Sequence, residues 1–406
     1  MKQFHRRPGI RSFLVTAIAA TLIVMGSATV GSAASTKTKA VKKSTWAIGV
    51  IDNFSSSSFI TDPAEEQSTV AAWQNYINAG GGFSGHKVKV YVENDQGNPT
   101  VGVAAIQTLI NTDHVVAIVS EASFGTPGYQ TYLDKANIPF ISPYSFFPNP
   151  GNTDVNYFPA GGTEGGVDLG IIAELKSLGT KEFGYISSSA GGSAAQAGLT
   201  LMTNDAQSAG IGIFSQLLGT VVNYTSTCLA MQQAGVTAAY VATGFLPNIA
   251  SDCAAQNYHP QWIYNVVGST QANVNPLLAS ADDNGVVTLD WAFPWFLHVP
   301  ALLTFHKVMA KYGGGIPLGP TTAVTWEAFV ELQYAMSKFA AIKNTHGIAV
   351  GKGLENELYT IRPNTRVGGI LVPMTIQRGV SKQENCFFKM TIANGKLQGT
   401  MTPTCG

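Results

Sequence analysis

NYINAGGGFSGHKVKVYVENDQGNP (residues 75–99) and LINTDHVVAIVSEASFG (residues 109–125) decide how this chain folds. Both lie in a run, residues 46–142, that reads strand, helix, Gly-rich turn, strand, helix, strand, helix, strand. Residues 47–51 are a short apolar run, as expected of a buried strand. Asp62 and Pro63 then supply an N-cap and a proline at the first helical position. Val70, Trp73 and Ile77 follow at the spacing of a core-facing helical stripe, and Gly80 to Gly82 stop it. Residues 86–93 alternate, which points Val88, Val90 and Val92 inward from a strand. Val103, Ile106 and Ile110 mark the next helix. Residues 115–119 are continuously apolar, as in a parallel strand covered on both faces. A helix over 129–136 and a strand over 138–142 complete the run.

The alternation resumes beyond residue 165. Helices are expected over 166–178, 194–209, 225–234 and 246–257, each followed by a strand, at 183–186, 213–218, 238–242 and 261–265; one more strand is expected at 286–289. The fold class is therefore α/β, with two units in tandem, each a parallel sheet flanked by helices. Two longer helices are expected over 301–311 and 325–341. The tail from Cys386 to Cys405 reads as a hairpin turning at Asn394 and Gly395.

The zero net charge hides an asymmetry. Of the 24 Lys and Arg, eight lie in residues 1–44 with no acid beside them, which leaves 16 against 24 acids in the rest. Nothing in that balance favours nucleic acid or an anionic membrane as partner. Arg6, Arg7 and Arg11 precede an apolar run over 13–25 and small residues over 31–34, so residues 1–34 read as a secretory signal cleaved after Ala33 or Ala34. The other reading, a membrane anchor, meets a run too short to span and broken at Gly26 and Ser27. No cysteine stands near the cleavage region, so no lipoprotein anchor is expected. Residues 35–44 read as a flexible basic linker. Four cysteines, Cys228, Cys253, Cys386 and Cys405, fall in the exported part. Their even number suggests two disulfides, and sequence order favours Cys228–Cys253 with Cys386–Cys405 among three connectivities. Metal or redox chemistry is the weaker alternative, because neither pair has CxxC spacing.

INAGGGFSGHKVKV, Asp95 after the second strand, the Pro99-led helix, the strand in DHVVAIVS, the Ser123 turn and IPFISP (residues 138–143) together carry a family. The chain resembles the Leu/Ile/Val-binding proteins, the type I periplasmic binding proteins of ABC importers. The GxGxxG spelled by Gly80, Gly82 and Gly85 does not redirect this reading, because it follows a helix and opens a strand, the reverse of a dinucleotide site. The resemblance implies two Rossmann-like lobes joined by a three-crossing hinge, with a ligand cleft between them. Its crossings would fall near Phe158, at 290–294 and at 370–373. The first lobe would hold residues 45–158 plus 295–371, and the second 159–294 plus 372–406.

Parallel α/β sheets bind ligands at the C-terminal ends of their strands. Four such loops are legible, at residues 52–59, 121–126, 143–147 and 243–247. The resemblance implies that Ser123 and Ser145 bind a ligand carboxylate; turn or N-cap bonding is their other use. Family members that take amino acids pair the ammonium with a second-lobe carboxylate. In WIYNVVGST (residues 262–270) that place falls near Val267, and no acid is there. Asp290, at an expected crossing, is the alternative acid. The tyrosine that stacks amino-acid ligands in the family is not recognisable in residues 187–194. The loops do carry aromatics: Phe124, Tyr144, Phe146, Phe147, Phe245, Trp291, Phe293 and Trp295, some of which are candidates for lobe core instead. The candidate ligand-binding set is Ser123, Phe124, Tyr144, Ser145, Phe146, Phe245 and Trp291. The expected ligand is a neutral or carboxylate solute with an apolar or aromatic body rather than a branched-chain amino acid.

The expected partners are that ligand and the membrane subunits of an ABC permease. The chain is expected to act as a monomer, in the periplasm or at the cell exterior, without cofactor or metal. The sequence holds no GxSxG, HExxH or P-loop and no paired Asp/Glu motif at loop positions. His298 and His306 stand eight apart with no acid between. The reading is therefore a binding protein and not an enzyme. A ligand-sensing module for a receptor, built on the same fold, is the alternative.

Overall fold

The computed structural model describes residues 43–55, 62–121, 126–142, 155–161, 164–189, 192–219, 223–242, 246–265, 271–280, 285–342, 348–378 and 386–405. The expected signal, residues 1–34, and most of the linker lie outside them. Lys43–Gly406 forms one compact unit. No helix among the described residues is long and apolar enough to cross a membrane.

The first sheet is built from β1 (Trp46–Asp52), which leads to helix α1 (Pro63–Ala79), then β2 (Val88–Asn94), α2 (Pro99–Asn111), β3 (Ala117–Val119), α3 (Thr126–Ala136), β4 (Phe140–Ser142) and β5 (Tyr157–Pro159). Its order is β2-β1-β3-β4-β5, and every pairing is parallel. The expected N-cap is in place: the Asp62 carboxylate accepts the N–H groups of Ala64 and Glu65, and Pro63 opens α1. Gly80 caps that helix at its other end, and the Gly82 N–H donates to the Ile77 carbonyl, so the GxGxxG is a helix stop and turn.

Strand alternation sorts this sheet's side chains onto two covered faces. Ile48, Val50, Val119, Ile141 and Phe158 share one core with Val70, Trp73 and Ile77 of α1. Ile51, Ile118, Phe140 and Tyr157 point the other way, into a smaller cluster with Ile106 and Leu109 of α2 and Tyr129 and Leu133 of α3. One inward expectation is corrected. Val88 is buried and Val90 half-buried, but Val92 is 42% exposed. The reason is position: β2 is the edge of the sheet.

The second sheet follows. Helix α4 (Glu164–Ser177) precedes β6 (Glu182–Ser188), α5 (Gly192–Ser208) precedes β7 (Gly212–Leu218), α6 (Thr225–Gln233) precedes β8 (Ala238–Ala242), and α7 (Leu246–Ala254) precedes β9 (Gln261–Asn265). Helix α8 (Gln271–Ala279) and strand β10 (Val287–Asp290) end this stretch. The chain then leaves for the first sheet, where α9 (Leu303–Tyr312) and α10 (Pro320–Ala341) pack on α1, and α11 (Val350–Leu358) packs on α10. It returns to the second sheet as β11 (Cys386–Ala393), β12 (Lys396–Gly399) and β13 (Thr404–Cys405). The order is β12-β11-β10-β9-β8-β6-β7, parallel from β10 to β7, with β11 antiparallel to β10 and β13 paired to β11.

The expected hairpin turn is present, with Asn394 and Gly395 both at positive φ (53° and 69°), the type I′ geometry that suits right-twisted strands. Cys228–Cys253 ties α6 to α7, and Cys386–Cys405 ties β11 to β13. Four elements were not legible in the sequence: β5, α8, α11 and β13. The helix expected from 325 begins a turn earlier, at Pro320.

Trp73 is the keystone of the first core. It is fully buried, lies 4.5 Å from the Phe329 ring of α10, and its indole N–H donates to Gln333 at 3.2 Å. Trp73→Ala is expected to cost about 3–5 kcal/mol in denaturant unfolding. Val92→Thr, at the exposed edge, is expected to change stability by less than about 0.5 kcal/mol.

Candidate functional site

The C-terminal ends of β1 and β3 are joined by one carboxylate. Asp52 closes β1 with its side chain fully buried. Its Oδ1 accepts from the Ser120 hydroxyl at 3.0 Å, and its Oδ2 accepts the Glu121 N–H at 2.6 Å. Both donors come from the residues just past β3. Asp95, past β2, is tied in as well: its N–H donates to the Asp52 carbonyl, and its carboxylate accepts from Tyr129 at 2.9 Å. Three strand ends are thus fixed to one another by buried acids.

Two more carboxyls arrive from the first turn of α1, where a helix favours acids. Glu66 sits against Asp52, and the hydrogen bond between the two carboxyls favours a proton on Glu66. Burial pushes Glu66 well above the usual carboxyl range, and Asp52 and Glu121 push it further. Glu121 is raised well above its usual value by burial and then by Asp52 and Glu65, partly offset by the Thr325 hydroxyl, which donates to it at 3.4 Å. Glu65 is raised to about 7 by burial and by Asp62, partly offset by the backbone N–H of Gln271. Burial among other carboxyls favours the protonated over the charged form of these groups. Protonated, they are hydrogen-bond donors to a carbonyl or carboxylate. The described residues hold no cluster of His, Cys, Asp and Glu arranged to bind a metal ion.

A second buried acid gathers the segments that pass between the sheets. Glu327 of α10 is fully buried, and its Oε1 accepts the Phe293 N–H at 3.0 Å. Phe293 lies just past β10. Gly161, just past β5, runs so close that a Cβ there would sit 3.1 Å from Glu327 Oε2 and 3.6 Å from the Trp291 ring. Arg366 acts on Glu327 electrostatically, donates from Nε to the Leu371 carbonyl and lies 5.8 Å over the Phe388 ring of β11. Burial raises Glu327 strongly, the Phe293 N–H and Arg366 oppose that, and Asp290 adds to it.

A family profile described as "Periplasmic binding protein" matches residues 45–366. The chain belongs to the periplasmic binding protein family. Comparison with curated proteins gives no significant sequence match. Solved structures of similar fold include a fatty acid ABC transporter substrate-binding protein from Thermomonospora curvata, 15% identical, with a TM-score of 0.71 over 89% of this chain and 93% of that one. A branched-chain amino acid transporter substrate-binding protein from Streptococcus pneumoniae in complex with isoleucine is 16% identical, with a TM-score of 0.67 over 89% and 99%. A solute-binding protein of an ABC transporter from R. palustris in complex with benzoate is 14% identical, with a TM-score of 0.67 over 88% and 97%. At these identities the likeness is one of fold: two lobes of parallel sheet flanked by helices.

In this periplasmic binding protein Ser123, Phe124, Tyr144, Ser145, Phe146, Phe147, Phe245 and Val267 lie outside the described residues. By chain order, 123 and 124 fall between β3 and α3, 144–147 after β4, 245 between β8 and α7, and 267 between β9 and α8. Trp291, Phe293 and Trp295 are described and buried at the second passage between the sheets. Phe293 meets Phe305 edge-on at 5.2 Å. Asp290 is buried too, and its Oδ1 accepts the Ala292 N–H at 2.9 Å. His298 and His306 meet edge-on at 5.0 Å, with His306 Nε2 at 2.8 Å from the Trp295 carbonyl.

No paired acids were visible at loop positions in the sequence, yet the fold assembles Asp52, Glu65, Glu66 and Glu121. One signal was available: Glu66 extends the stripe of Val70, Trp73 and Ile77 by one more turn, and an acid on an apolar stripe must be buried.

Raised carboxyls make stability depend on pH. As pH climbs above the ordinary carboxyl range, the unfolded chain ionises while Glu66 and Glu121 stay protonated in the fold, so folding stability falls. The expected slope is about 1.4 kcal/mol per pH unit for each such group. Urea unfolding of Glu66→Gln between about pH 5 and pH 7 should show a shallower slope than wild type.

Proposed function

We propose that this protein is the extracytoplasmic ligand-capturing component of an ABC importer, exported by the signal at residues 1–34 and delivering its ligand to a permease. The observation that carries this reading is the gathering of three interlobe passages around Glu327. Two rigid lobes on a narrow hinge can close on a ligand, and a ligand that touches both lobes only when closed shifts that equilibrium. The lobes are taken as residues 45–158 plus 295–371 and 159–294 plus 372–406.

The ligand is a neutral or carboxylate solute with an apolar or aromatic body. Three lines support this. The second-lobe position near Val267 lacks the acid that pairs an amino acid's ammonium group. An enclosed ammonium without a partner costs several kcal/mol, against the roughly −8 kcal/mol of a micromolar site. Burial pushes Glu66 and Glu121, beside the strand ends of the first lobe, toward their neutral forms, which repel a carboxylate less than carboxylates would. The benzoate complex and the fatty acid transporter component among the similar folds make such solutes a reasonable class to screen. Ser123 and Ser145, with Phe124, Tyr144, Phe146, Phe245 and Trp291, are the proposed ligand contacts.

A thermal-shift screen of carboxylates, amides and amines, followed by calorimetry, tests the ligand class. Micromolar binding is expected for an apolar carboxylate or amide, with a change in tryptophan emission from the passage that holds Trp291 and Trp295. Micromolar binding of leucine, isoleucine or valine, or of a simple amine, would overturn it. Binding that leaves both emission and compactness unchanged would argue against closure.

A further inference from the structure

We propose that Glu65, Gln271 and Gly319 form a latch between the two lobes that grips more tightly as pH falls. The inference rests on the proposed lobe closure and adds a control to it. Glu65 stands in the first turn of α1, on the first lobe, and Gln271 opens α8, on the second. The Gln271 backbone N–H donates to the Glu65 carboxyl, a hydrogen bond that crosses from one lobe to the other.

Gly319, which caps α10, makes room for this approach. A Cβ at that position would lie 2.8 Å from the Gln271 Cβ, 3.1 Å from its Oε1 and 3.2 Å from Glu65 Oε2. The Gly319 backbone is extended (φ −151°, ψ −173°), so alanine meets no backbone strain there; only the contact with α8 forbids it.

Two oxygens flank that position, Glu65 Oε2 and Gln271 Oε1. Both are buried, and neither has a hydrogen-bond partner among the described residues. Both are acceptors while Glu65 is ionised. A proton on Glu65 removes the buried charge and gives the carboxyl a donor in place of an unmet acceptor. The Gln271 side-chain amide nitrogen is committed elsewhere, to Asn275 Oδ1 at 2.8 Å. Two carboxyls face Glu65: Asp62, the N-cap of its own helix, and Glu121, from the end of β3. Asp62 disfavours its charged form, and Glu65 in turn pushes Glu121 upward. Burial is the largest effect on Glu65, and with Asp62 it raises Glu65 to about 7. The sign follows. Opening the lobes removes the burial that α8 adds while Asp62 stays, so the open value lies between the ordinary 4.5 and about 7; closure is undiminished at low pH and weakens as pH rises toward 7.

Spin labels on Val92→Cys and Leu178→Cys, one exposed site on each lobe, report the interlobe distance in the ligand-free full chain. All four native cysteines are paired, so labelling is confined to the new sites. The ratio of closed to open protein is expected to fall at least about tenfold between pH 5 and pH 8, the effect of one pKa unit. Glu65→Gln, isosteric and without charge, should hold the closed ratio high and flat across that range. Gly319→Ala should shift the ratio toward open at both pH values while thermal unfolding shows the lobes intact. A wild-type ratio that ignores pH, or a slope that survives in Glu65→Gln, overturns the latch. Closing by a screened ligand without any pH slope sinks the latch alone; one fixed lobe separation under every pH and ligand sinks the closure reading too.

Discussion

A single hydrogen bond, from the Phe293 N–H to Glu327 Oε1, sits where the chain passes between the lobes. Around it lie Gly161 from the first passage, Trp291 from the second, and Arg366 beside Phe388 from the third. A buried carboxyl in such a place is costly unless it is bonded or protonated. Glu327 is bonded by a backbone amide and faces a guanidinium, and burial holds it near neutrality. The passages are therefore pinned to one side chain of one long helix. The placement of the two sheets relative to each other depends on that contact.

The first lobe repeats the device at its strand ends. Parallel strands leave their last N–H groups and the loops after them without sheet partners. Asp52 supplies partners for two at once, the Ser120 hydroxyl and the Glu121 amide. This fixes the end of β1 against Ser120 and Glu121, the residues that follow β3. The cost is that Glu66 and Glu121 must stay protonated. A group of neutral carboxyls differs chemically from a group of carboxylates: it can donate hydrogen bonds where carboxylates only accept. Glu65, at the outer edge of the same cluster, is the member that titrates near neutrality.

Much of the fold was legible because it depends on local patterns. Asp62 with Pro63 announced α1, Asn394 with Gly395 announced the hairpin, and the apolar run at 115–119 announced β3. The elements that escaped are those whose local pattern is weak. Helix α8 carries Pro276 inside it, α11 is nine residues long with two glycines, and β5 is three residues long. Each is held by neighbours rather than by its own propensity. Val92 escaped for a related reason: alternation tells which face a residue shares, and only sheet order tells that this strand is an edge.

The site divides along the same line. The sequence by itself determined the α/β alternation, the loops at the strand ends, the aromatic character of those loops and the missing acid near Val267, all of which are properties of neighbours along the chain. Only the tertiary structure decided that Asp52, Glu65, Glu66 and Glu121 share one buried space, that Glu327 stands among three passages, and that Glu65 reaches Gln271 across the lobes. The physical reason is that charge state is set by desolvation and by the charges a few ångströms away. Those neighbours come from β1, α1, β3, α8 and α10, brought together by packing that no window of sequence contains.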